Sequence, residues 1–110
     1  MNYQHKELAG GRWAQMSLCE QMANVGSEVS RALNWKAKNN NDYSHKALER
    51  ALELLDITLD SQTQYPRLKE VARVREILVD YFMADNQHGS TELLWRKYFD
   101  AFAVAANRNK

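Results

Sequence analysis

The segment from Arg12 to Lys38 constrains the fold more than any other part of the chain, because its helical periodicity is uninterrupted. Its large apolar residues recur every three or four positions, at Leu18, Met22, Val25, Val29 and Leu33. Residues at this spacing share one face of an α-helix, and that face must be buried against other elements. The sequence has no alternating pattern of the kind that predicts a strand. The chain is therefore expected to consist of packed helices.

Three further amphipathic segments follow the first, and polar or helix-breaking residues separate them. We predict helices over residues 12–38, 43–60, 67–84 and 90–107. Pro66 suits the first turn of the third helix, because the N–H that proline lacks would have no partner there. Four amphipathic helices with short connections predict an all-α fold, an antiparallel four-helix bundle, in a single domain spanning residues 1–110.

The composition of the chain narrows the classes of function. The 110 residues include 15 basic and 14 acidic side chains, which give a formal net charge of +1. This balance is not typical of a protein that binds nucleic acid mainly through phosphate contacts. The one cysteine, Cys19, cannot form an internal disulfide, so we expect a cytoplasmic protein. We expect no membrane association, because no apolar stretch is long enough for a membrane span and the first residues do not resemble a signal peptide.

A polar stripe bracketed by two tryptophans runs along the first segment. We interpret it as a partner-binding surface formed by Trp13, Glu20, Asn24, Glu28, Arg31 and Trp35. Tryptophan and arginine are enriched at the centres of protein interfaces, and aromatic side chains also stack on nucleic-acid bases. The alternative is that the two tryptophans close the ends of the bundle core and that the charged residues are ordinary helix surface.

A second flank of the same segment consists of small residues: Ala23, Gly26, Ser27 and Ser30. A glycine within a helix costs about 1 kcal/mol relative to alanine and usually has a packing reason. We predict that another helix approaches closely here, either within the chain or from a second copy in a homo-oligomer.

Arg75 lies in the middle of the apolar face of the third predicted helix, where an unpaired charge would be costly. It should form an ion pair with a carboxylate of another helix, for which Glu28 and Glu53 are candidates, or it should hold a bound anion. A further hypothesis joins it to other cations in a site for an anion or RNA: Arg31, Lys36 and Lys38.

Acidic residues of the second helix allow a metal-dependent alternative. Glu49, Glu53 and Asp56 follow one another at steps of four and three, and Glu76 of the third helix could complete the set. All-helical nucleotide pyrophosphatases bind Mg²⁺ with carboxylates on facing helices, because Mg²⁺ needs several oxygen ligands. The simpler interpretation is a solvated helix surface. The Glu-x-x-His pairs of di-iron bundles are missing from the sequence, so we expect no cofactor and no metal, and favour a non-enzymatic protein.

Residues 20–29, 50–56 and 93–99 read EQMANVGSEV, RALELLD and LLWRKYF. These stretches resemble a family of small bacterial four-helix proteins. In length and architecture the chain is similar to the proteins encoded in ribosomal RNA intervening sequences and to the accessory protein of diversity-generating retroelements. The resemblance implies a helical protein that forms ring-shaped oligomers and, in the retroelement case, serves a reverse transcriptase and its RNA. The lack of catalytic spacings, the two-tryptophan stripe and the flank of small residues predict a self-associating scaffold or accessory protein with a protein partner. The resemblance adds RNA as a further candidate.

Overall fold

Four α-helices make up most of the structure, a computed structural model that describes residues 11–108. A short 3₁₀-helix (Trp13–Gln15) precedes α1 (Leu18–Ala37), α2 (Asn41–Ser61), α3 (Tyr65–Met83) and α4 (Glu92–Arg108). The helix α1 packs on both α2 and α4, and α3 packs on α2. The predicted all-α bundle is confirmed, and no strand occurs within the described residues. None of the described helices combines the length and apolar character that a bilayer crossing requires.

The first helix begins later than predicted, because Ser17 and Glu20 form a capping box. The backbone N–H of Glu20 donates to Oγ of Ser17, and the backbone N–H of Ser17 donates to Oε1 of Glu20, each over 3.1 Å. Ser17 has an extended backbone, so it separates the 3₁₀-helix from α1. Such reciprocal caps satisfy two of the N–H groups that every helix start leaves without partners. The prediction of one continuous helix from residue 12 is therefore wrong at its first turn.

The other helix boundaries lie within about two residues of the predicted ones. Asn40 caps α2 by accepting a hydrogen bond from the backbone N–H of Tyr43, and Pro66 lies in the first turn of α3 as predicted. Asp80 closes the loop between α3 and α4 by accepting hydrogen bonds from the backbone N–H groups of Gln87 and His88. These bonds, that of His88 above all, hold the pKa of the Asp80 carboxyl below its ordinary value.

The core lies between α1 and the two helices that pack on it, α2 and α4, and α3 adds residues to the same cluster. Each helix contributes an apolar face, and the residues buried in the main cluster include Met22, Val25, Leu55, Leu78, Trp95 and Phe99. The apolar face predicted for α1 is thus turned inward, and the other helices are amphipathic as predicted. Three residues each are buried on α3 and on α4, against seven on α1 and eight on α2.

Candidate functional site

The stripe predicted between Trp13 and Trp35 is not one exposed surface. Trp13 is 1% exposed, and its indole Nε1–H donates a hydrogen bond of 2.9 Å to Oγ1 of Thr58 on α2. Because the chain leaves the helical path at Ser17, Trp13 does not share the helical wheel of α1. Trp13 therefore closes one end of the core, as in the alternative interpretation of the sequence.

The polar residues of the same stripe have partners within the chain. Glu28 is buried, and its carboxylate accepts from Arg31 over 2.8 Å and from Arg50 of α2 over 3.0 Å. The ion pair between Glu28 and Arg50 joins α1 to α2. The side-chain amide of Asn24 donates to the carbonyl oxygen of Glu20 over 2.8 Å. At the far end, Trp35 is half-buried, and its ring packs edge-on against Tyr43 with centroids 4.9 Å apart.

Two of the small residues of α1, Gly26 and Ser30, contact α4 of the same chain. A Cβ atom at Gly26 would lie 2.8 Å from Cβ of Phe99, closer than such atoms approach in proteins. One turn further, Oγ of Ser30 accepts from Arg96 of α4 over 3.1 Å. Ser27 is exposed, and its hydroxyl donates to the backbone oxygen of Ala23. The close helix approach that the sequence predicts at Gly26 and Ser30 therefore lies within the chain, and these two residues are not free to pack a second copy.

Arg75 forms the predicted ion pair with a carboxylate on another helix, but with a different residue. Its Nε donates to Oδ1 of Asp56 over 2.7 Å, so the predicted partners Glu28 and Glu53 are wrong. Both side chains are partly exposed, and pairs of this kind contribute less than about 1 kcal/mol. The pair joins α2 to α3. Arg31 binds a different carboxylate, that of Glu28, so Arg75 and Arg31 do not share an anion site.

The proposed metal ligands are not brought together. Asp56 is occupied by Arg75, while Glu49 and Glu76 are exposed. Among residues 11–108, no group of three or more His, Cys, Asp or Glu side chains is placed to hold a metal ion. The cations suggested for an anion site are also dispersed, because Lys36 lies over the ring of Tyr81 and Lys38 lies over that of Trp35.

The outer face of α4 carries apolar side chains that no element described here covers. Leu93 is 61% exposed and Val104 is 52% exposed. Exposed Lys97 and Asp100 lie between them, and at 3.6 residues per turn the four fall within a sector of about 60°. Neither charge forms an ion pair within residues 11–108. We call these four residues the α4 outer stripe. The signal in the sequence is the spacing of Leu93 and Val104, which places both on the side of α4 opposite its core residues.

A cleft lies between α3 and α4, because α3 packs against α2 while α4 packs against α1. Its volume is about 350 Å³. The walls are mainly apolar, and the mouth carries one acidic and one basic residue; the lining consists of Glu70, Arg73, Val74, Ile77, Ser90, Leu94, Trp95 and Tyr98. Leu94 is 57% exposed, so the cleft is open to solvent on the α4 side. Both the volume and the lining are typical of small-molecule pockets, which measure roughly 300–1,000 Å³.

Two buried polar atoms belong to residues of this cleft. The indole Nε1 of Trp95 and the hydroxyl of Tyr98 are both shielded from solvent, and neither has a hydrogen-bond partner among the described residues. The two rings lie edge to face with centroids 6.2 Å apart. Burial, reinforced by the negative charge of Glu70, raises the pKa of the Tyr98 hydroxyl well above its ordinary value, so the group is neutral and protonated.

Comparisons of the chain with protein-family models, with curated proteins and with solved structures gave no match. The resemblance to small bacterial four-helix proteins stays a prediction, as does the cytoplasmic location. Any function must therefore be argued from the surfaces of the molecule, and the α4 outer stripe and the α3–α4 cleft are two of them that expose apolar side chains within residues 11–108.

Proposed function

We propose that this chain is a non-enzymatic, self-associating helical module, and that two copies meet through the α4 outer stripe. The observation that carries the proposal is the pair of exposed apolar side chains, Leu93 and Val104, at the two ends of one sector of α4. Burying them against a second copy would remove apolar surface from water at roughly 25 cal/mol per Å².

The order of residues in the stripe is self-complementary. In an antiparallel α4–α4 contact that places Leu93 opposite Val104 of the second copy, Lys97 falls opposite Asp100 of the second copy. A two-fold axis repeats each contact, so one register would form two apolar contacts and two ion pairs. Opposite charges flanking an apolar contact also fix its register. This agreement between the apolar and the charged residues favours a second copy over an unrelated partner.

The proposed contact is small. The stripe is about 16 Å long, because eleven residue steps separate its ends. A single pair of helices buries less than the roughly 800 Å² per partner of a standard stable interface. We therefore expect a reversible dimer with a dissociation constant roughly in the micromolar range. A two-fold contact closes at two copies, so this surface by itself does not build a larger ring.

Sedimentation velocity across a concentration series tests the proposal. The wild type should shift from monomer to dimer, whereas Leu93→Glu should remain a monomer. The matched control is Leu94→Glu, because Leu94 is the neighbouring leucine, is similarly exposed and lies about 100° away around the helix. This control should still dimerise.

Exchanging the charges at Lys97 and Asp100 then tests the register of the proposed α4–α4 contact. Lys97→Glu alone should weaken the dimer by placing a carboxylate opposite Asp100, and Asp100→Lys alone should weaken it by placing two ammonium groups opposite each other. The double variant should recover the wild-type affinity. A wild type that stays monomeric at several hundred micromolar, a mass above that of a dimer, or a double variant no better than either single one would each refute the proposal.

A further inference from the structure

The residues that precede α1 are fixed to the bundle by two buried hydrogen bonds. We call residues 11–16 the strap, and Trp13 is its buried side chain. The first bond is the one from the Trp13 indole to Thr58 of α2. The second comes from Gln21 of α1, which is 1% exposed and whose Nε2 donates to the carbonyl oxygen of Trp13 over 2.8 Å. The strap is therefore held by one bond to α2 and one to α1.

The side chain of Gln21 also reaches the connection between α2 and α3. Its Oε1 accepts a hydrogen bond from Nε2 of Gln62 over 3.2 Å, and its Nε2 donates to Oγ of Ser61 over 3.3 Å. Gln62 is the first residue after α2, and Ser61 is the last residue of that helix. One buried amide thus contacts both the backbone of the strap and the start of the α2–α3 connection.

The helix that this connection affects most is α3, which packs on α2. The loop at its other end is closed locally by Asp80 and Asn86, whose partners lie within residues 87–90. Only residues 62–64 separate α2 from α3, so Gln62 has to shift whenever α3 moves away from α2. The bond from Gln62 to Gln21 opposes that movement.

We propose that the strap controls the opening of α3. The seated Trp13 backbone orients the Gln21 amide, and Gln21 in turn holds Gln62, so withdrawal of the strap releases the α2–α3 connection. Because α3 supplies one side of the α3–α4 cleft, the position of the strap is linked to access to that cleft. The proposal does not rest on self-association, since the α4 outer stripe takes no part in these bonds.

Hydrogen exchange of the full-length chain, read by mass spectrometry, tests the link to α3. Gln62→Ala removes the bond to Gln21 and should accelerate exchange of the α3 amides about two- to tenfold, the range for one lost hydrogen bond. The matched control is Gln64→Ala, because Gln64 lies in the same connection, is exposed and caps α3 without a side-chain hydrogen bond. This control should leave α3 exchange unchanged. Equal exchange in the two variants would overturn the proposal.

Gly26→Ala separates local opening of α3 from a general loss of stability. Gly26 lies against Phe99 where α1 crosses α4, away from the strap and from α3. This variant should accelerate exchange in α1 and α4 and leave α3 nearly unchanged, because an element that opens by itself responds to its own contacts. If α3 accelerated as much as α1, it would not open as a separate unit and the proposal would fail.

A double-variant cycle tests whether the strap acts through Gln62. Trp13→Phe keeps an aromatic ring but lacks the indole N–H, and Thr58→Val removes the same hydrogen bond from the other side. Each should accelerate α3 exchange in the wild type, yet add little in the Gln62→Ala background, since the connecting bond is already absent there. The same acceleration in both backgrounds would show that the strap does not act through Gln62, and would refute the proposed control.

Discussion

Replacement of Gly26 by alanine tests the closest helix contact in the molecule, the crossing of α1 and α4. The new Cβ would lie 2.8 Å from Cβ and 3.1 Å from Cγ of Phe99. The first of these atoms is attached directly to the α4 backbone, so it cannot move aside by rotation of its side chain. The two helices must therefore separate by several tenths of an ångström, and neighbouring core contacts loosen with them.

Two opposing terms set the magnitude of this effect. Alanine is favoured over glycine within a helix by about 1 kcal/mol. Overpacking of a dense core costs about 1–3 kcal/mol, and at a fixed helix crossing the upper part of that range applies. We expect Gly26→Ala to lower the free energy of unfolding by about 1–2 kcal/mol.

Urea unfolding followed by circular dichroism measures this change. With a slope of about 2 kcal/mol per molar urea, the midpoint should fall by roughly 0.5–1 M while the slope stays constant. The matched control is Ser27→Ala, the next residue on α1, which is exposed and should be neutral or slightly stabilising. If Gly26→Ala unfolded at the same urea concentration as the wild type or at a higher one, the proposed crossing would be wrong.

Three further substitutions test other contacts of the fold. Thr58→Val removes the acceptor of the buried Trp13 indole and should destabilise the protein by about 1–3 kcal/mol, with a change in tryptophan fluorescence as the readout. Glu28→Gln weakens the bonds to two arginines and should cost about 1 kcal/mol in urea unfolding, an effect that shrinks in high salt. The folded-state pKa of Asp80 lies below the ordinary 3.8, so its contribution is present above that pH and is lost as the pH falls through the lowered value. Asp80→Asn should therefore melt below the wild type at pH 7, and the difference should disappear at strongly acidic pH.

The helical architecture could be predicted from the sequence because each helix is amphipathic and has its own boundary signals. The apolar residues of α1 at three- and four-residue spacing all face inward, and Pro66 lies in the first turn of α3. The late start of α1 was also predictable in principle, since Ser17 followed three residues later by Glu20 is the signature of a capping box. The unbroken apolar periodicity nevertheless predicts a helix that runs across that signal.

The features that depend on how helices are placed relative to one another could not be predicted in the same way. Arg75 was expected to find a carboxylate on another helix, and it did, but the identity of Asp56 depends on the vertical offset of α2 and α3. Whether Gly26 contacts a helix of its own chain or of a second copy depends on which helix crosses α1 at that point. The α3–α4 cleft depends on the spacing between two helices, which no local pattern encodes. The spacing of residues along one helix specifies which side of that helix is apolar. The relative placement of two helices specifies which of their side chains meet.

The peripheral position of α3 has a consequence for the mechanics of the molecule. Within the described structure α1 packs on two neighbours, whereas α3 rests mainly on α2, and less extensively than α4 rests on α1. Elements with so few buried contacts open at lower free energy than the rest of a fold. A tilt of α3 would widen or narrow the cleft while α1, α2 and α4 keep their packing. We therefore expect the α3 wall of the cleft to move more readily than the α4 wall.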